Sequence, residues 1–149
     1  SIDWDDAAAM IEEWGGPFAI KGVMSVDDAR RSVDVGASAI MISNHGGRQL
    51  DGSRSPIDQL PAILDAVGGE IEVIVDGGIR RGPHVLKALA MGATACSGGR
   101  MYLYALAGAG SAGVERAMGL LREEIERDML LMGCSSLAEL NTSMIVRRR

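Results

Sequence analysis

Short apolar runs alternate with stretches of helical period along the whole chain. Pro17-Phe18-Ala19-Ile20 reads as a strand entering Lys21, and Ala39-Ile40-Met41-Ile42 as a second. Ile71, Val73, Ile74 and Val75 mark a third strand, and Ala93 to Cys96 a weaker fourth. Runs this short and this apolar are expected of parallel strands buried on both faces. Helices fill the gaps. Asp3 is placed to cap a helix running to about Trp14, with Asp6 at its third position. Ser25 and Asp28 form a capping-box pattern for a helix that reaches Val35 and stops at Gly36. Pro56 opens another, with Ile57, Leu60, Ile63 and Leu64 on one face. Gly82 to Met91 follows the third strand. A long amphipathic helix is expected from about Ala112 to Met132, burying Val114, Leu121, Ile125 and Met129 and showing Arg116, Glu123, Glu126 and Arg127 outward. Ser136 to Leu140 closes the pattern as a last short helix.

One helix followed by repeated β/α units predicts an α/β fold with a parallel sheet and right-handed crossovers. In such folds functional groups gather just after the strands, and the chemically distinctive residues here do so: Lys21, His45, Asp76 and Gly99. Four units are half of an eight-stranded barrel, which takes about 250 residues when complete. The pattern alone leaves two architectures open, a four-stranded open sheet or part of a (β/α)8 barrel. No linker or low-complexity stretch divides the chain, so residues 1–149 read as one unit.

Composition narrows the function. Hydrophobic residues make up 47% and charged residues 23%, as in a globular domain, and the net charge of −5 disfavours a nucleic-acid partner. The basic end Arg147-Arg148-Arg149 reads as a solvated tail. No apolar run is long enough for a membrane helix, and the acidic start is unlike a signal peptide. Cys96 and Cys134 stand alone, which points away from disulfide or zinc frameworks and fits a reducing cytoplasm. Asn141-Thr142-Ser143 matches a glycosylation sequon and reads as chance. Twenty glycines suit tight turns where backbone approaches a ligand.

The segment Ser43-Asn44-His45-Gly46-Gly47-Arg48-Gln49-Leu50-Asp51 carries the sharpest chemistry. His45 can take a proton near neutral pH. Arg48 offers a planar fork for a carboxylate, and the glycines between them let backbone lie against a flat ligand. A base beside a carboxylate clamp is what oxidation next to a carboxylate requires. Asp76-Gly77-Gly78-Ile79-Arg80-Arg81-Gly82 and Ser97-Gly98-Gly99-Arg100 follow the last two strands. Two glycine turns with arginines, each leading toward a helix N-terminus, suit a phosphate. His84 reads as a surface helical residue, and the methionines as packing.

Together these segments resemble the FMN-dependent 2-hydroxy-acid oxidase and dehydrogenase family, which includes lactate dehydrogenases, glycolate oxidase and mandelate dehydrogenase. The resemblance runs in order through Ile20-Lys21-Gly22-Val23, Ser43 to Asp51, Asp76 to Gly82, Gly99-Arg100, Tyr102-Leu103-Tyr104-Ala105 and Met132-Gly133-Cys134. It implies FMN as cofactor and an L-2-hydroxy acid as substrate. It also implies His45 as base and Arg48 as substrate-carboxylate arginine, with Lys21 over the flavin pyrimidine edge and Ser43 a nearby flavin contact. Asp76, Gly77, Gly78, Ile79, Arg80, Gly99 and Arg100 fall on the ribityl and phosphate region. Family members usually carry a branched apolar residue before the second Gly-Arg pair and often a proline after it; here those positions are Gly98 and Met101.

The resemblance further implies that this chain is the C-terminal half of a (β/α)8 barrel. Ser1-Ile2-Asp3-Trp4 resembles the point where family members resume after a long loop that follows their fourth strand. An N-terminal half would supply substrate-binding tyrosines, an aspartate that orients the histidine, and the groups beside flavin N5. That half is the expected partner, in a complete enzyme that is a homo-oligomer, cytoplasmic or held at a membrane by its upstream region. Two rivals stand beside this reading. One is a different FMN- or phosphate-binding barrel, such as an isomerase, which leaves His45 with Arg48 unexplained. The other is a non-catalytic half-barrel that binds a phosphate or serves as a subunit needing a partner chain.

Overall fold

The computed structural model describes residues 2–146, so the expectation for Arg147 to Arg149 lies outside the described residues. Helix α1 (Trp4–Trp14) begins where expected: Asp3 accepts the backbone N–H groups of Asp5 and Asp6, and Asp6 returns a carboxylate to the Asp3 N–H. Four β/α units follow: β1 (Ala19–Val23), α2 (Val26–Asp34), β2 (Ala39–Ser43), α3 (Pro56–Val67), β3 (Glu72–Asp76), α4 (Gly82–Ala90), β4 (Ala95–Ser97) and α5 (Arg100–Met132). Ser25 caps α2 as its spacing predicts.

All strand pairs are parallel, and their spatial order is β1-β2-β3-β4. This order settles the architecture left open above. A doubly wound sheet reverses its strand order at a switch point. Strands that stay in sequence order, with right-handed crossovers, lay every helix on one side and form an arc of a barrel wall. The core lies between this wall and its helices. Val23, Ile40, Ile42, Val73 and Val75 point outward from the sheet and meet Ala29, Leu60, Ile63, Val67 and Ala88.

The strands differ from expectation on their other face. They were expected to be buried on both sides, yet Lys21 is exposed and Met41 and Ile74 are only half-buried. Register puts these three in one row, Lys21 opposite Met41 and Met41 opposite Ile74. They face the barrel interior, which this arc does not enclose. Helix α5 also departs from the pattern. It starts directly after β4 and is broken at Ala109 and Gly110, and Val114, Leu121, Ile125 and Met129 are half-buried rather than buried. The consecutive apolar residues Tyr102 to Ala107 mask any helical period, which explains why the first segment escaped the pattern. The last short helix is a 3-10 turn at Leu137–Glu139.

Candidate active site

The site grows from the C-terminal ends of the strands. Lys21 does not end β1 but sits within it. β1 and β2 pair Lys21 with Met41 and then Val23 with Ile42, so Gly22 is the extra residue of a bulge. The bulge has a direct use. Gly22 has φ +99, and a Cβ there would stand 2.9 Å from His45 Nε2. Only glycine lets the imidazole lie against this strand end.

Ser43 ties the strand ends together. Its hydroxyl donates to Asp76 Oδ2 at 2.6 Å, accepts from Lys21 Nζ at 2.8 Å, and accepts the backbone N–H of His45 at 3.1 Å. Lys21 Nζ also pairs directly with Asp76 Oδ2. Burial alone would raise the Asp76 pKa. Hydrogen bonds from Lys21, Ser43 and Ser97, with the Lys21 charge, outweigh it and hold the carboxyl below its ordinary value. Ser43 is 1% exposed, so it lies beneath the site rather than on its surface. Through these three bonds Ser43 holds Lys21, Asp76 and the His45 backbone in place.

The segment after β2 turns at once into a 3-10 turn, His45–Gly47. Asn44 braces it at both ends: its Oδ1 accepts the Gly46 N–H at 3.1 Å, and its Nδ2 donates to the Arg54 carbonyl at 3.2 Å. His45 has φ 54, the sole positive value on a described non-glycine residue. A left-handed residue of this kind costs about 1–3 kcal/mol and persists only where its surroundings hold it; the Ser43 hydroxyl and the Gly22 gap do so. Gly46, at φ +72, lies against Arg100, whose Nη2 donates to the Gly46 carbonyl at 3.3 Å.

The two glycine turns are not equivalent. At α4 the backbone donors are already engaged. The Gly82 N–H goes to Glu124 Oε2 at 2.8 Å, Pro83 has no N–H, and the His84 N–H goes to the Arg81 carbonyl at 3.0 Å. At α5 no side chain caps Gly99, and the first helical bond is from the Leu103 N–H to the Gly99 carbonyl at 3.2 Å. Of the two helix N-termini that the sequence offered, α4 has its first donors engaged within the protein, and α5 has no side-chain cap.

A cleft of about 400 Å³ unites the predicted residues. Lys21, His45, Arg48, Asp76, Gly77, Gly78, Ile79, Arg80, Gly99 and Arg100 all line it; Ser43 lies below. Its volume is within the range of ligand pockets. Lys21, Arg48, Arg80 and Arg100 line it with one carboxylate among the described residues, Asp76, so the cleft suits an anion. A Cβ placed on Gly78 or Gly99 would meet nothing within 4 Å, so space stands open over both turns. A dianionic phosphate with a flat polar ring fits this donor set.

Sequence reasoning missed four contributors. Gly22 and Asn44 carried weak signals, a glycine inside a strand and an Asx residue before a turn. His84 is not a free surface residue: it is half-buried, and its Nδ1 accepts the Arg80 N–H at 3.2 Å. Glu124 reaches Arg81 and Gly82, beside the Arg80 loop, from a distant helix, which no local pattern reveals.

Comparison with known proteins agrees with this geometry. The sequence model of the FMN-dependent dehydrogenase family matches residues 1–147. The chain is 50% identical over 96% of its length to a pre-mycofactocin synthase of Mycobacterium tuberculosis, and 48% identical over 99% to an L-lactate dehydrogenase of Alcaligenes faecalis. It spans 36% and 39% of those two proteins. Among solved structures it matches a flavocytochrome b2 variant with sulfite bound, at TM-score 0.90 and 44% identity. That match covers 96% of this chain and 38% of the other. It also matches mandelate oxidase with benzoyl-formic acid, at TM-score 0.87 and 48% identity, covering 92% and 41%.

Proposed function

Because this chain belongs to the FMN-dependent dehydrogenase family, we propose that it carries the catalytic half of a 2-hydroxy-acid oxidoreductase acting on a lactate-like substrate. The observation that supports this most directly is the single cleft in which His45 and Arg48 share walls with the two glycine-arginine turns. Bound FMN supplies a two-electron acceptor. The residues of the chain do the rest. Arg48 grips the substrate carboxylate, because its fork matches the two oxygens. That orients the hydroxyl-bearing carbon over the reacting face. His45 accepts the proton, from carbon or from oxygen, as the substrate is oxidised to the 2-oxo acid. Lys21 holds a positive charge where negative charge develops on the acceptor, and Asp76 and Ser43 hold Lys21. Arg80, Arg100 and the α5 N-terminus bind the phosphate. A second half of the barrel, as partner, closes the site over the inner face of the sheet.

The test separates His45 from Arg48. In the complete enzyme, His45→Gln is expected to keep FMN and substrate binding but slow flavin reduction by about 10²–10⁴, the usual cost of losing a general base. Arg48→Lys is expected mainly to weaken substrate binding, since an ammonium cannot reproduce the two-pronged grip. Stopped-flow reduction with lactate, glycolate and mandelate across concentration distinguishes them. If His45→Gln raises only the apparent substrate constant and leaves limiting reduction intact, the base lies elsewhere.

A further inference from the structure

The loop that carries Arg80 is held from behind by a residue far away in sequence. Glu124, in the second segment of α5, turns its carboxylate onto the start of α4. Oε1 accepts from Arg81 Nε at 2.9 Å and from Arg81 Nη2 at 2.6 Å, while Oε2 accepts the Gly82 N–H at 2.8 Å. The fit is close. A Cβ on Gly82 would come within 2.6 Å of Glu124 Cβ and 2.7 Å of the Ile125 nitrogen. On the same loop, the Arg80 N–H is fixed by His84 Nδ1. The Arg81 guanidinium and the Gly82 N–H also hold the Glu124 carboxyl below the usual carboxylate range.

One helix therefore reaches the anion site twice. Its first turn, Arg100 to Tyr102, lines the cleft directly, and its later segment grips the opposing loop through Glu124. We propose that Glu124 is a positioning residue for the flavin phosphate. By fixing Arg81 and Gly82, it sets the separation between the Arg80 loop and the Gly99-Arg100 turn, and so tunes the site for a phosphate. This inference rests on the phosphate reading of the cleft given above.

The experiment compares two flavins that differ only in the phosphate. The complete protein is titrated with FMN and with riboflavin, following flavin fluorescence. The wild-type protein is expected to prefer FMN. Glu124→Gln keeps the size of the side chain but removes its charge and one acceptor. It is expected to weaken FMN binding by about tenfold, the loss of one charge-assisted hydrogen bond, and to change riboflavin binding by less than about twofold. Equal losses for both flavins would make Glu124 a general packing residue and overturn the proposal, as would unchanged FMN affinity. A wild-type protein that binds both flavins alike would instead overturn the phosphate reading itself. Should Glu124→Gln fail to fold, Arg81→Met leaves the Gly82 bond in place and is read by the same ratio. A smaller loss selective for FMN supports the proposal, and an unselective loss overturns it.

Discussion

At the scale of single residues, the site is organised around Asp76. Among the described residues that line the cleft it is the one carboxylate, and Lys21, Ser43 and Ser97 hold its pKa down against the effect of burial. A carboxyl whose folded pKa is depressed binds fewer protons folded than unfolded. Its contribution to stability is therefore complete above the ordinary carboxylate range, about pH 4, and is lost as the pH falls through the lower folded value. Asp76→Asn is expected to flatten the acid limb of the stability profile below about pH 4, measured by urea denaturation at a series of pH values. An unchanged acid limb would mean the Asp76 network contributes nothing to folding. His45 and Arg48 were legible in sequence because two unusual side chains flank two glycines. Ser43's role as a hub was not, since a serine at a strand end has no signature until its neighbours on other strands are known.

At the scale of elements, the strands and most helices follow from local patterning, and the deviations have local causes. β1 was expected to end at Lys21 but continues through the Gly22 bulge to Val23, because the buried Val23 adds another apolar anchor. The docking of α4 on α5 was invisible to pattern. It depends on Gly82, whose missing Cβ admits Glu124 and Ile125. Gly82→Ala is expected to destabilise the protein by about 1–3 kcal/mol, the usual range for overpacking. Gly82 carries no left-handed backbone among the described glycines, so the cost is steric. A denaturation midpoint that does not move would mean that α5 shifts freely on α4. The break at Ala109 and Gly110 serves the same end by changing the direction of α5 between the cleft and Glu124. There Gly113 passes so near the Ala105 carbonyl that a Cβ would sit 2.1 Å from it.

At the scale of the whole molecule, the arc of four strands leaves one face uncovered. Lys21 is exposed, Met41 and Ile74 are half-buried, and β1 and β4 are the edges of the sheet. Open edges invite association, and Tyr102, Leu103, Tyr104 and Leu106 add exposed apolar surface beside β4. The 149-residue chain on its own is accordingly expected to associate in solution and to show no turnover of lactate or mandelate with an artificial acceptor. Size exclusion and a dye-reduction assay check both. Robust turnover by the isolated chain would mean that the four units already hold every group the reaction needs.

Sequence alone determined the elements, the parallel sheet, the order of the chemical segments and the pairing of His45 with Arg48. Each of these is written in near neighbours: apolar period, caps, glycines and side-chain chemistry. Tertiary structure decided what depends on residues far apart. Strand order chose the barrel arc over the open sheet, and register brought Lys21, Ser43 and Asp76 into one network. The meeting of α4 and α5 engaged the Gly82 donor at one helix N-terminus, while the other has no side-chain cap. Such contacts arise only when strands align and helices dock, and at either partner alone they leave no periodic trace.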